Sequence, residues 1–327
     1  MSRRLIVFLP NWLGDAVMAL PALADIRRAW PDATIDLAAR ASIAPVAALV
    51  PDVNAVVRLE RGREVELLKA GGYETALLFP NSFNSAWTAQ RAGIPERWGY
   101  RHDFRGLLLT RAVVPPARVH QAAYYQLLTT ALGFEPGPLE PRLAAPAEAE
   151  RLALERLTAA GWDGRTPLVA LAPGAAFGTA KRWPAARFAA AIDQLAAAGL
   201  RSVLIGASGD RPGGDEVRAA VGAEAAPLDL IGGTDLTTLA GVLRQCRALV
   251  TNDSGAMHFA AALGVRVVAI FGPTNEKETR PLGPGEIAVI AGQAWCRPCM
   301  LRECPLTHAC MRSVSADVVV SHVRRGL

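Results

Sequence analysis

The feature that most limits what this chain can become is a repeating alternation. Short, mostly uncharged runs rich in Val, Ile and Leu are separated by longer stretches with helical spacing of apolar residues. Leu5–Leu9 reads as a buried strand, Ala16–Trp30 as the helix after it, and Thr34–Ala38 as the next strand. Val53–Leu59 and Ala76–Phe79 continue the series. The pattern predicts parallel sheets, because parallel neighbours need a crossover, usually a helix, and those helices cover both faces of the sheet. A Pro-rich break, Glu135–Pro146, interrupts the series. It resumes with the strand Leu168–Ala172, a Gly-rich loop Pro173–Lys181, and a helix that Pro184 opens and Gly199 closes. Ser202–Ile205, Ala248–Thr251 and Val267–Phe271 follow as strands, and Ser315 is placed to cap a last helix, Ala316–Arg325. The expected architecture is α/β, with two Rossmann-like domains, 1–145 and 146–327, facing a central cleft. In such sheets ligands lie beyond the carboxyl ends of the strands, so the loops that follow strands are where chemistry is sought.

Composition narrows the function. The net charge is +5, too small an excess to argue for nucleic acid. Of the 35 basic residues only Lys69, Lys181 and Lys277 are lysine, so arginine is the default cation and each lysine stands out. No uncharged run reaches the roughly 18 to 20 residues of a spanning helix. The longest, Thr75–Gln90, is broken by Pro80, Asn81 and Asn84. Arg3, Arg4 and Leu5–Leu9 imitate the start of a secretory leader, but Pro10, Asn11 and Asp15 interrupt the apolar region, so a cytoplasmic protein is expected.

Three turns carry candidate chemistry. After the first strand, Trp12-Leu-Gly-Asp15 leads into a helix. A carboxylate at a helix N-terminus stays ionised and can accept a proton, or it can simply cap the helix. In the loop Pro173–Pro184, Gly174 and Gly178 let backbone approach a ligand closely, and Lys181 and Arg182 bring cations to the same turn. In Asn252–His258, the backbone N–H groups of Ser254 and Gly255 sit at a helix start suited to anions, and Asp253 could hold ribose hydroxyls. Two such turns in one half suggest a nucleoside diphosphate. The only approach to a Gly-x-Gly-x-x-Gly fingerprint, starting at Gly283, contains proline and follows no strand, so a nicotinamide dehydrogenase is poorly supported.

The motifs Trp12-Leu-Gly-Asp15 with Leu20-Pro21, Pro80-Asn-Ser-Phe83, the loop Pro173–Pro184 and Thr251–His258 occur in order along nearly the whole chain. Together they resemble glycosyltransferase family nine. That resemblance implies a GT-B fold with an N-terminal acceptor domain and a C-terminal donor domain. It implies inverting transfer of L-glycero-D-manno-heptose from ADP-heptose to heptosyl-Kdo-lipid A in the inner core of lipopolysaccharide. Asp15 would be the general base, and Lys181 would stabilise the departing ADP. Gly14, Gly174, Gly178, Asp253, Ser254, Gly255 and His258 would contact the donor, although a lone helical histidine can equally be structural. Ala176 and Phe177 stand where some members carry threonines, which leaves the sugar open; a member using another nucleotide sugar or acceptor, or a catalytically silent sugar-nucleotide-binding paralogue, is the alternative, against which the presence of both Asp15 and Lys181 speaks. The acceptor in this family is anionic and lipid-linked, which extends the expected location to the periphery of the inner membrane. It also makes Arg61, Arg63 and Arg101, with Asn81 and Ser82, acceptor-side candidates. With 32 arginines, a solvated basic face competes with that reading.

No Asp-x-Asp occurs among the 14 aspartates, so cations of the protein are expected to take the place of a metal under the diphosphate, with no cofactor required. Cys296, Cys299, Cys304 and Cys310 crowd the C-terminal segment at a spacing that suits a structural zinc ion or free thiols. Cys246 lies in an Ala/Leu-rich helical stretch and is expected in the core. A monomer is assumed.

Overall fold

The computed structural model describes residues 3–325, and the chain divides into two compact units, Met1–Ala144 and Ala145–Leu327. The first unit contains β1 (Arg4–Phe8), β2 (Thr34–Arg40), β3 (Ala55–Leu59), β4 (Thr75–Leu78), β5 (Glu96–Tyr100) and β6 (Arg111–Val113). They form one parallel sheet in the order β3-β2-β1-β4-β5-β6. The second unit contains β7 (Leu168–Ala172), β8 (Arg201–Leu204), β9 (Leu228–Asp229), β10 (Cys246–Asn252), β11 (Arg266–Phe271) and β12 (Ile287–Ala291). Its order is β12-β11-β10-β7-β8-β9, again parallel throughout. Read from the β9 edge this is the order of the first sheet, although the two halves share no sequence repeat. Each sheet reverses its winding beside its first strand, between β1 and β4 and between β7 and β10. The carboxyl ends of those strand pairs are where such a sheet opens a crevice.

The apolar runs behave as buried strands. Leu5, Ile6 and Val7 in β1, and Leu168 through Leu171 in β7, are almost wholly buried. The margins of the sheets are more polar, as in β5 (Glu96, Arg97) and β6 (Arg111), and these strands, like the short β9, carry no clear apolar signal. The single helix expected over Ala16–Trp30 is two helices, Leu13–Met18 and Leu20–Ala29. Pro21 lies in the first turn of the second, where its missing N–H cannot continue the preceding ladder. The last helix, Ala316–Arg324, begins as expected, with the Ser315 side chain accepting from the Val318 N–H. Cys246 is buried as expected but opens β10 rather than sitting in a helix. Burial pushes its thiol up to about 12, and it donates weakly to the Val242 carbonyl.

Candidate functional sites

In the first unit, the turn after β1 delivers Asp15. Trp12 is the N-cap of the helix Leu13–Met18 and makes no side-chain capping bond, so Asp15 stands in the first turn and is not the cap. Its half-buried carboxylate instead accepts a 3.3 Å hydrogen bond from the Tyr125 hydroxyl. Burial raises its pKa above the usual carboxylate value, and the Tyr125 hydrogen bond works against that rise. Tyr125 is itself held protonated, its pKa driven well up by burial and then by the Asp15 charge, so it remains a donor. Gly14, just before Asp15, is half-buried in the same turn.

The neighbouring turn, after β4, carries Asn81 and Ser82. Ser82 is the N-cap of the helix Phe83–Arg91, its side chain accepting from the Ser85 N–H. Asn81 donates to the Tyr124 hydroxyl at 2.8 Å and accepts from Arg105 at 3.4 Å. A pocket at the ends of β1 to β4 is lined by Asn11, Arg40, Pro80, Ser82 and Asn84 among others. Arg105 organises this region from inside the unit. It is 0% exposed. Its Nε donates to the Tyr100 carbonyl at 2.8 Å and its Nη1 to the Pro80 carbonyl and, at 3.2 Å, to Ser85 Oγ. Burial lowers its pKa to about 10, still a cation at neutral pH. The other arginines divide differently. Arg97 is spent on the carbonyls of Ile94, Pro95 and Leu108. Arg63 is exposed and pairs with Glu60 at 2.9 Å and Glu66 at 3.2 Å. Arg61 and Arg101 are exposed.

In the second unit, the turns after β7 and β10 are bolted together by Asn252, which is fully buried. Its amide donates to the carbonyls of Pro173 (2.8 Å) and Gly174 (3.2 Å), and its Oδ1 accepts from the Trp183 N–H at 2.9 Å. Trp183, 2% exposed, closes the core beneath and donates to the Val314 carbonyl. On this scaffold Lys181, at the end of the short 3₁₀ turn Thr179–Lys181, pairs with Asp253 at 2.6 Å. Their side chains are only 12% and 6% exposed. Asp253 also accepts from Thr274 Oγ1 at 2.6 Å, so this carboxylate is engaged by groups of its own chain. The Lys181 ammonium lies 4.7 Å from the centre of the Phe177 ring and the Arg302 guanidinium 5.1 Å from it. Ser254 caps the helix Gly255–Ala262 without a side-chain capping bond, its hydroxyl instead lying 3.2 Å from that of Thr251. His258 is buried within that helix.

The two loop glycines make close approaches, but to the protein. A Cβ on Gly174 would meet the Asp210 carboxylate, and one on Gly178 would stand 2.2 Å from the Arg302 carbonyl oxygen. Arg302 also accepts from the Ala180 N–H at 3.0 Å. The cysteine-bearing segment therefore braces the Gly-rich loop. The zinc expectation is not supported. All four cysteines are free, and among the described residues no group of three or more His, Cys, Asp or Glu is arranged to hold a metal ion. Cys310 is drawn into the apolar core of the unit, and burial, followed by the neighbouring thiols, raises its pKa, which opposes the thiolate a ligand must supply.

A family model described as glycosyltransferase family 9 (heptosyltransferase) matches residues 61–310. The chain is 34% identical over 300 residues to lipopolysaccharide heptosyltransferase 2 of Salmonella typhimurium strain LT2, and 33% identical over 300 residues to that of Escherichia coli K12. Each alignment covers 85% of both chains. The solved structure of E. coli ADP-heptose lipopolysaccharide heptosyltransferase II superposes with a TM-score of 0.85 at 30% identity, covering 99% of this chain and 98% of that one. A Veillonella parvula family 9 structure gives the same TM-score at 22% identity, covering 99% and 96%, a likeness of fold. The two Rossmann-like units are thus those of the GT-B class.

Proposed function

This chain belongs to glycosyltransferase family 9 and is a glycosyltransferase, and we propose that it moves a heptose from ADP-heptose to the inner core of lipopolysaccharide, with inversion. The first unit takes the lipid-linked acceptor, with Asn81, Ser82, Arg61, Arg63 and Arg101 as acceptor-side residues, and the second takes the donor. Asp15 is the general base. Its carboxylate receives the acceptor hydroxyl proton as the hydroxyl oxygen bonds to the anomeric carbon. The bond from that carbon to the diphosphate breaks, and its electron pair stays on the phosphate oxygen of ADP. Lys181 meets the charge that builds there, where a preorganised cation contributes most. The backbone N–H groups of Ser254 and Gly255 serve the same diphosphate, and no metal is required because these groups carry the cationic role.

The observation that carries the chemistry is the state of Asp15. It is a first-turn carboxylate that caps nothing, is half-buried, and is held by one hydroxyl donor. The sugar rests on the likeness to the two heptosyltransferases 2. The test is incubation with ADP-heptose and heptosyl-Kdo-lipid A, with mass spectrometry of the product and other nucleotide sugars in parallel. The wild type is expected to add one heptosyl unit, in excess chelator as well as without it. Asp15→Asn is expected to lose about 10²–10⁴-fold in kcat with donor affinity kept. Near-wild-type turnover by Asp15→Asn would refute the base assignment. Loss of activity in chelator, restored by Mg²⁺, would refute the cation assignment, and preference for another sugar would refute the donor.

A further inference from the structure

The segment from Arg97 to Arg118 contains five arginines and one acidic residue, Asp103. In its middle, Phe104 is 94% and Leu107 95% exposed. Exposed apolar residues scattered singly are ordinary, but two presented almost whole within four residues are not. The loop does not hold them out by default. Asp103 and Phe104 both have positive φ, 45° and 59°, an uncommon backbone for residues with a side chain. Directly after them, Arg105 plunges into the unit and ties the loop to Tyr100, Pro80 and Ser85. The short helical turn Arg105–Leu108 packs on the helix Phe83–Arg91. That helix adds a partly exposed pair, Phe83 and Trp87, stacked at 6.3 Å, with the Arg91 guanidinium 5.8 Å from the Trp87 ring. Exposed Arg101, His102 and Arg111 flank the apolar tip.

We infer that this knob docks the first unit on an anionic phospholipid bilayer. Phe104 and Leu107 enter the acyl boundary, Trp87 lies at headgroup level, and Arg101, Arg111 and Arg91 meet lipid phosphates. A fully exposed apolar tip, anchored from beneath by Arg105, with an aromatic flank and a cationic rim has the chemistry of a membrane interface. The exposed arginines here, Arg101, Arg111 and Arg118 with Arg91 on the neighbouring helix, outnumber the exposed acids Glu96 and Asp103, and this excess selects an anionic surface. The inference goes beyond the sugar-transfer reading, because it concerns bulk lipid and not the acceptor.

The test is co-sedimentation of the full chain with phosphatidylcholine–phosphatidylglycerol vesicles, without donor or acceptor. Wild type is expected to bind them, to bind pure phosphatidylcholine more weakly, and to lose affinity as salt rises. The double variant Phe104→Ser/Leu107→Ser, with thermal unfolding unchanged, is expected to bind about tenfold or more weakly, because its insertable apolar area is gone. Wild type that ignores the mixed vesicles, or a double variant that binds like wild type, overturns the proposal. Binding only to vesicles carrying lipopolysaccharide core also overturns it, since the knob would then read the acceptor. Self-association that the double variant abolishes, without vesicle binding, overturns it in favour of a second copy.

Discussion

Removing the guanidinium of Arg105 tests whether a buried cation is what sets the turn after β4, the proposed acceptor side. Arg105→Met keeps most of the side-chain volume and deletes the charge. It strips the Tyr100 carbonyl of a 2.8 Å donor, takes one donor from the Pro80 carbonyl, and releases Ser85 Oγ and Asn81 Oδ1 from longer contacts. Each buried acceptor left without its donor costs about 1–3 kcal/mol. The Pro80 carbonyl retains a 3.3 Å contact from Ser85 Oγ, so its loss is partial. Against these losses, the variant no longer buries a charge, which recovers a share of the penalty. The balance is a destabilisation of about 2–4 kcal/mol. In a unit of this size that lowers Tm by roughly 5–15 °C, read by calorimetry or circular dichroism. Arg105→Lys keeps the charge, but one ammonium nitrogen cannot reach the acceptors that the guanidinium fork spans, so it is expected to lose at least as much. The acceptor KM should rise in both variants while donor affinity stays unchanged. A Met variant as stable as wild type would show that the carbonyls do not depend on Arg105. Full rescue by lysine would show that charge, and not the planar fork, is what matters.

Two further contacts, one at Asp15 and one between packed helices, give measurable outcomes. Tyr125→Phe removes the hydrogen bond that lowers the Asp15 pKa and leaves the burial that raises it. As the proposed base, Asp15 must be ionised, so the acidic limb of the kcat/KM profile should move to higher pH, with the plateau at high pH less affected; an unmoved or lower limb would refute the role of the pair. Gly241→Ala would place a Cβ 2.0 Å from the Ala149 carbonyl oxygen, where the helices Leu236–Gln245 and Ala147–Ala159 pack. Overpacking of about 1–3 kcal/mol outweighs the roughly 1 kcal/mol of helix propensity gained. Gly213→Ala, in the helix Arg211–Ala220 with nothing within 4 Å, should show that gain alone, so a Gly241 variant as stable as the Gly213 variant would contradict the packing.

Much of the scaffold was legible because it is written in local signals. Apolar runs such as Leu168–Ala172 can be little else than buried strands, and Pro184 and Ser315 mark helix starts through backbone chemistry confined to a few residues. The turns that carry Asp15, Lys181 and Asn252 were expected after β1, β7 and β10, and they lie there. What was missed depends on contacts far apart in sequence. Tyr125 reaches Asp15 across 110 positions, and Asn252 spans 78 and 79 positions to Gly174 and Pro173. Arg105 resembles its neighbours Arg97 and Arg101 in sequence, yet one is buried, one saturates carbonyls and one is exposed, because only the folded chain decides which acceptors lie in reach. The cysteines misled for the opposite reason. Their spacing is a local signal, but Cys310 answers to the core it enters.

The shared strand order of the two sheets has a consequence for how such a chain can change. Every strand of one sheet lies between Arg4 and Val113, and every strand of the other between Leu168 and Ala291. The crevice beside β1 and β4 and the crevice beside β7 and β10 therefore have separate hydrogen-bonded frameworks. On the proposed division of acceptor and donor between the units, residues that choose an acceptor can drift without disturbing the ladder that presents Lys181, and the reverse holds for the donor. Exchange of a whole half between relatives, cut near residue 145, would interrupt no sheet. With donor and acceptor divided as proposed, new pairings of the two are open to inheritance by halves, one recombination at a time.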